Sequence, residues 1–406
     1  MDTPRAKPSA SAAGQWMFNN QCMSTGIKLS CLPLFRTLGL AVLPCLALPS
    51  LAQAPAPTSA PETPVEAAAP PAERRWVQVP RLKGRLTARD MGLVINTADP
   101  YSVAVGEYYA RRRRIPADQI LRMELPVQPA LNVMEFGQLY ARIRDHMGPQ
   151  VQGLALAWTQ PYAVNCNSIT SAVTLGMEPE ACAQTCAPTK PSRYFNSGSV
   201  RPFTDLALRP SMLLASRSVK SARALIDRGL AAERQLGKQG APLASAVFVS
   251  TGDKARNVRA QLFPPKGLPG ELARFGVQVE LRGGADTSPM QRVVLYQTGL
   301  THMDFIDREQ WVAGALADHL TSSGGQLLNT EGQMSALEWL ESGATASFGT
   351  ISEPCNHPQK FPHPQVLLMH YMQGATALEA YWRSVAWPAQ GVLVGDPLAA
   401  PFEGFK

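Results

Sequence analysis

The chain has 406 residues, of which 45% are hydrophobic, 17% charged and 7% aromatic. These proportions belong to a globular protein and exclude a fibrous, disordered or polytopic membrane chain. The net charge of +7 comes from 38 Lys and Arg spread along the whole length, not from a basic patch interleaved with aromatics, so no nucleic-acid partner is expected.

At the N-terminus, Lys28 and Arg36 precede an apolar run from Thr37 to Leu48, and the small residues Ser50 and Ala52 suit cleavage after Ala52. About a dozen apolar residues are too few to cross a bilayer as a helix. Residues 1–52 therefore read as a signal peptide, and a start at Met23 gives it a more usual length. Val42-Leu-Pro-Cys45 is no lipobox, since Pro44 precedes the cysteine. The mature chain is expected in the periplasm or secreted, with no transmembrane segment beyond the cleaved signal. Residues 53–75 hold six Pro and seven Ala and cannot bury a core. A linker is expected over 53–84, and its length is compatible with an envelope component.

From residue 85 the pattern predicts one α/β domain to the end of the chain. Met91–Ile95 is a short apolar strand. Asp99-Pro100 starts a helix with an N-cap side chain and a proline at the first helical position. Tyr101, Ala104, Val105, Tyr108 and Tyr109 then form one apolar stripe. The basic run Arg111–Arg114 closes that helix, where cations meet free carbonyls. A strand over 120–125 and a helix over 134–147 lead to the buried strand Gly153–Trp158. The stretch 163–209 lacks sustained periodicity and reads as a cysteine-containing excursion. A helix over 219–234 follows, then strands at 246–249, 277–281 and 293–296. Helices are expected at 313–320 and 335–341, a strand at 345–348, one long helix over 364–385, and a last strand at 392–394. Such alternation indicates a mostly parallel sheet flanked by helices.

Four of the seven cysteines lie beyond the signal: Cys166, Cys182, Cys186 and Cys355. An even number in an oxidising compartment favours disulfides, and four cysteines leave three pairings open. The sequence holds no P-loop, no glycine-rich dinucleotide fingerprint, no G-x-S-x-G elbow and no H-E-x-x-H. No cofactor and no metal are expected.

The densest reactive cluster is Ser352-Glu-Pro-Cys-Asn-His-Pro-Gln-Lys-Phe-Pro-His363, with His370 beyond it. Cys355 could be a nucleophile paired with His302, His357 or His363, since a thiolate needs a nearby imidazole. It could equally sit in a disulfide within a proline-rich loop. The spacing of Cys355, His357, His363 and His370 matches no tetrahedral zinc pattern. Parallel sheets bind ligands outside the carboxyl ends of their strands. Those ends carry Asn96, Asp99, Gln160, Thr298 and Glu353, which are candidate ligand-binding residues, and Ser322, just past the helix expected at 313–320, is counted with them. Asp396, between a strand and Pro397, reads as a turn cap. His319 reads as a packed or surface residue on the helix expected at 313–320.

Leu337-Glu-Trp-Leu-Glu-Ser-Gly-Ala-Thr-Ala-Ser-Phe-Gly-Thr350, Glu353-Pro-Cys-Asn356, Val394-Gly-Asp-Pro-Leu398 and the opening Val94-Ile-Asn-Thr-Ala-Asp-Pro-Tyr-Ser102 resemble a poorly characterised family of exported bacterial proteins. The resemblance spans roughly residues 90 to 402. A more distant one is to the gingipain-type, caspase-like cysteine peptidase domain, in which a Gly-Ala-rich strand, a helix with Glu-Ala and a terminal Gly-Asp-Pro occur in the same order. That domain carries its His and Cys at the ends of two neighbouring strands. Here the matching positions read Tyr296-Gln-Thr-Gly-Leu-Thr-His302, without a His-Gly pair, and Thr321-Ser-Ser-Gly-Gly325, without a cysteine. The resemblance implies a caspase-like fold that lacks the expected dyad. Two functions follow from it: ligand or partner binding at the strand ends, or a hydrolase using Cys355, Ser322 or Ser323.

Overall fold

The computed structural model describes residues 76–402 apart from 239, 266–271, 274, 330 and 331. The chain divides into units Met1–Ala68 and Ala69–Lys406, and every described residue belongs to the second. The signal segment 1–52 and linker residues 53–75 lie outside the described residues.

The strands are β1 (Met91–Asn96), β2 (Ile120–Met123), β3 (Ala130–Leu131), β4 (Gly153–Leu156), β5 (Ala163–Val164), β6 (Asn167–Ser168), β7 (Ser211–Leu213), β8 (Ala244–Ser250), β9 (Val277–Gly283), β10 (Val293–Thr298), β11 (Trp311–His319), β12 (Ala346–Thr350) and β13 (Gly391–Gly395). The helices are α1 (Pro100–Arg113), α2 (Val133–His146), α3 (Ile169–Leu175), α4 (Glu180–Ala183), α5 (Pro202–Leu206), α6 (Val219–Ala231), α7 (Ala336–Ser342), α8 (Pro364–Met372) and α9 (Ala377–Ser384).

Ten strands form one sheet in the order β2-β1-β4-β7-β13-β12-β11-β10-β8-β9, and β3, β5 and β6 form a small second sheet. Every pairing in the large sheet is parallel except β12 with β13. β1, β4, β7, β12 and β13 are buried at every position, as strands covered by helices on both faces must be. The fold class is thus α/β with a mostly parallel sheet flanked by helices.

Helix starts follow local chemistry. Asp99 accepts a hydrogen bond from the Tyr101 amide at 2.9 Å, with Pro100 at the first helical position. At α2, Asn132 accepts from the Met134 and Glu135 amides, and Glu135 accepts from the Asn132 amide at 2.8 Å. Losing such a cap costs about 1 kcal/mol.

Four expectations are corrected. The helix expected at 313–320 is strand β11, which lies between β10 and β12. Its Ala- and Gly-rich run is apolar on both sides, and a short run of that kind has no helical stripe to separate it from a buried strand. The long helix expected over 364–385 is two helices. Gly374 takes a φ of +91°, and Thr376 with Glu379 forms a capping box that starts α9 afresh. The excursion 163–209 contains β5, β6, α3, α4 and α5, with all of α3 from Ile169 to Thr174 buried. Residues 76–84, assigned to the linker, are seated on the domain. The amides of Val77, Leu82 and Leu86 donate in turn to Gln365 (2.6 Å), Gln373 (2.9 Å) and Glu379 (3.1 Å).

The basic run ending α1 also does more than meet carbonyls. Arg113 is buried and pairs with Asp396 at 2.5 Å and Glu233 at 2.8 Å. Asp396 also accepts from the Tyr109 hydroxyl and from the Leu398 amide, so it caps a turn and balances a buried cation together. Gly229 of α6 leaves room for it: a Cβ there would lie 2.0 Å from the Asp396 carboxylate.

Candidate functional site

The antiparallel junction between β12 and β13 splits the strand ends. The carboxyl ends of β1, β4 and β13 face one edge of the sheet, and those of β8, β10, β11 and β12 face the other. Asn96, Asp99 and Gln160 therefore stand apart from Thr298, Ser322 and Glu353, and no single cleft gathers all six. Asn96 is committed to structure, accepting from the Ala98 and Leu125 amides and donating to Leu125. Asp99 is the α1 cap.

On the second edge, β10 and β11 are parallel neighbours with Thr298 opposite His319. Their following loops leave the sheet side by side. The Thr321–Gly325 turn is pinned to β12: Gly325 donates to Thr350 at 2.9 Å, and the Thr350 hydroxyl donates to Thr321 at 2.8 Å. That close passage requires Gly349, where a Cβ would sit 2.3 Å from the Gly324 backbone. The Ser323 amide and hydroxyl both donate to the Gln333 side chain. Ser322 is half-buried.

Beside this turn lies a cavity of about 280 Å³ whose polar wall is His302, Asp304, Asn329, Gln333, Ser335 and Glu338. His302 and Asp304 are exposed, and Glu338 pairs with Arg217. Thr298, by contrast, is buried and engaged: its hydroxyl accepts from Leu300 and its carbonyl from Arg259.

Below the loops is a buried polar network. The Asp318 carboxylate is paired with Arg259 and accepts from the Gln297 amide at 2.9 Å. Arg259 also donates to the Thr298 carbonyl at 3.0 Å, which ties the ends of β10 and β11 together. Burial pushes the Asp318 carboxyl up, against the pull of Arg259 and Gln297. Next to it, His319 is fully buried with both ring nitrogens used. The Trp339 indole donates to Nδ1 at 2.9 Å, so Nε2 carries the proton and donates to the Met334 carbonyl at 2.8 Å. Burial holds this imidazole down to about 4, and it is neutral at physiological pH.

The cysteines are paired Cys166–Cys182 and Cys186–Cys355. The second bond joins the excursion to the loop after β12. With its sulfur bonded to Cys186, Cys355 has no thiol to ionise, and the expectation of a nucleophilic Cys355 is corrected on that ground. Glu353 is exposed and accepts from the Cys355 amide at 2.7 Å, so it braces this loop.

The histidines of the reactive cluster are dispersed. His357 packs on Trp387 with ring centroids 5.7 Å apart. His363 caps α8 by accepting from Val366, and His370 meets the Asn196 side chain at 3.0 Å. Among the described residues no three His, Cys, Asp or Glu are grouped to hold a metal ion. No described helix is long and apolar enough to cross a membrane.

Arg259, Asp318 and Trp339 are the residues that pattern reading missed. Asp318-His319 stood in plain view, but placing it on a helix hid its position at a strand end. Lys360 was passed over too. It is fully buried, donates to the Thr185 carbonyl at 2.6 Å, and is lowered to about 8 by burial against the pull of Glu353 and Glu178.

No family model matches the chain, and no curated protein matches it in sequence. Among solved structures it is similar to the Arg-specific cysteine proteinase gingipain R, at 11% identity and a TM-score of 0.42 over 77% of this chain and 78% of that one. A second structure, described only as a protease, gives 10% identity and a TM-score of 0.42 over 79% and 80% of the two chains. The likeness is distant and concerns overall fold.

Proposed function

We propose that this is an exported binding protein, periplasmic or secreted, whose site is the cavity at the carboxyl ends of β10 and β11. The ligand is small, polar and rich in hydrogen-bond donors. The observation that carries this reading is the wall itself, where the exposed Asp304 and His302 stand with Glu338, paired with Arg217, and Gln333, whose side-chain oxygen accepts from Ser323. Neighbouring groups that could attack a carbonyl are engaged elsewhere. Cys355 is in a disulfide, His319 has both nitrogens bonded, and the Ser323 hydroxyl is given to Gln333. A serine without a base beside it is a weak nucleophile. Export is supported by the N-terminal apolar segment and by the two disulfides, which persist in oxidising compartments.

The test is a ligand-observed NMR screen of small amines and polyols against the full chain, followed by titration of His302→Ala and Asp304→Asn. A ligand whose affinity falls about tenfold in either variant, the size of one lost hydrogen bond to a charged group, supports the proposal. Hydrolysis of a peptide or ester library that disappears in Ser322→Ala overturns it. That outcome selects the second reading, a serine hydrolase using Ser322 and His302, which the adjacency of the β10 and β11 loops favours.

A further inference from the structure

A second cavity, of about 320 Å³, shares no residue with the first. It lies between α2, α3 and α5, at the amino end of β4. Ile143, Met147, Leu154 and Val173 give it apolar walls, and it reaches the small end of the size range for small-molecule pockets. Its charged members are Arg144 and Arg209, and no carboxylate lines it.

Arg209 is the less exposed of the two. Its guanidinium stacks on the Phe203 ring, with Cζ 3.4 Å from the ring centroid. Nε donates to the Val151 carbonyl at 3.1 Å, and Nη2 donates to the carbonyls of Met147 (2.9 Å) and Gly148 (3.2 Å). Every acceptor is a neutral backbone oxygen. Among the described residues Arg209 has no ion pair and its Nη1 has no hydrogen-bond partner; half-buried Arg228 likewise donates only to the Leu340 and Ala344 carbonyls, whereas the fully buried Arg113, Arg259 and Arg383 each face a carboxylate. A guanidinium stays ionised at any physiological pH, so a half-buried one without a counter-charge is a standing electrostatic cost. An anion brought to Nη1 removes that cost through a charge-assisted hydrogen bond. Arg144 does not change this balance, since it is exposed and paired with Asp145.

We infer that this cavity binds a small apolar carboxylate, its anionic head at Arg209 Nη1 and its hydrocarbon part against Ile143, Met147, Leu154 and Val173. The apolar walls select against a bare inorganic anion, and the uncompensated guanidinium selects against a neutral hydrocarbon.

The experiment is isothermal titration of the full, disulfide-intact chain at low ionic strength with octanoate, octanamide and inorganic phosphate. Octanoate is expected to bind, octanamide about tenfold more weakly or worse, and phosphate not measurably, as one charge-assisted hydrogen bond added to apolar burial requires. Tyr140 stands on the rim, 42% exposed and close enough to act on the Arg209 charge. Tyr140→Glu therefore places a carboxylate beside Arg209 at an exposed position. It should keep the melting temperature and lose octanoate binding. Equal binding of octanoate and octanamide, no octanoate binding by the folded chain, or undiminished binding in Tyr140→Glu would each overturn the inference.

Discussion

Protonation of His319 is the sharpest handle on how the strand ends are held. In the folded chain both ring nitrogens are bonded within a dry cluster, and the pKa falls from the ordinary 6.5 to about 4. The unfolded chain takes up a proton near 6.5 while the folded chain does not, so acid favours unfolding. The contribution is intact above about pH 7 and is lost as the pH falls through 6.5 towards about 4. At about pH 5 the unfolded imidazole is about 1.5 units below its midpoint, which at about 1.4 kcal/mol per unit makes a loss of about 2 kcal/mol. His319→Gln tests this, because glutamine offers one acceptor for Trp339 and one donor for Met334 but cannot take a proton. His363 and His370, also depressed by burial, titrate in both proteins and cancel in the comparison. Urea unfolding followed by tryptophan fluorescence at about pH 7.5 and about pH 5 gives the difference directly. The wild type should lose about 2 kcal/mol more than His319→Gln between those values. Parallel losses in the two proteins would refute the assignment of a buried, neutral His319.

Arg259→Leu strands the Asp318 carboxylate in the core and should cost about 3–5 kcal/mol, whereas replacing both partners by apolar residues should cost clearly less than the two single changes combined. A loss below about 1 kcal/mol for Arg259→Leu in urea unfolding would mean that the pair is solvated. The two disulfides should differ in weight, since the closed loops are 169 and 16 residues in sequence separation. On a chain-entropy account, the double serine variant at Cys186 and Cys355 loses about 5 kcal/mol and that at Cys166 and Cys182 about 3 kcal/mol. Denaturant midpoints in the opposite order would show that strain or residual structure outweighs loop closure.

Much of the fold was legible in the order of residues. The starts of α1 and α2, the apolar strand runs at β1, β4, β10 and β13, and the α/β alternation all rest on interactions a few residues long. The candidate site was less so. His302 could be placed after a strand, but Ser322 was read as following a helix, and the cavity beside them also needs Gln333, Ser335 and Glu338 from around the start of α7, which no local pattern ties to β10. Cys355 stood as nucleophile or staple until its partner at Cys186 was known, because the choice depends on a residue 169 positions away. The open cavity at Arg209 gave no local signal, since a missing counter-ion is a property of everything packed around the guanidinium.

A cap, a turn proline or an amphipathic stripe is decided by residues already adjacent along the chain, and here the sequence alone determined those features. Whether Trp311–His319 became a helix or a strand, and which edge each strand end faced, waited on β10, β12 and the reversed β13 closing around them. Burial on both faces then outweighed the local preference of an alanine-rich run, and it was that burial which made the ion-paired Asp318 and the neutral His319 the bonded core beneath the site.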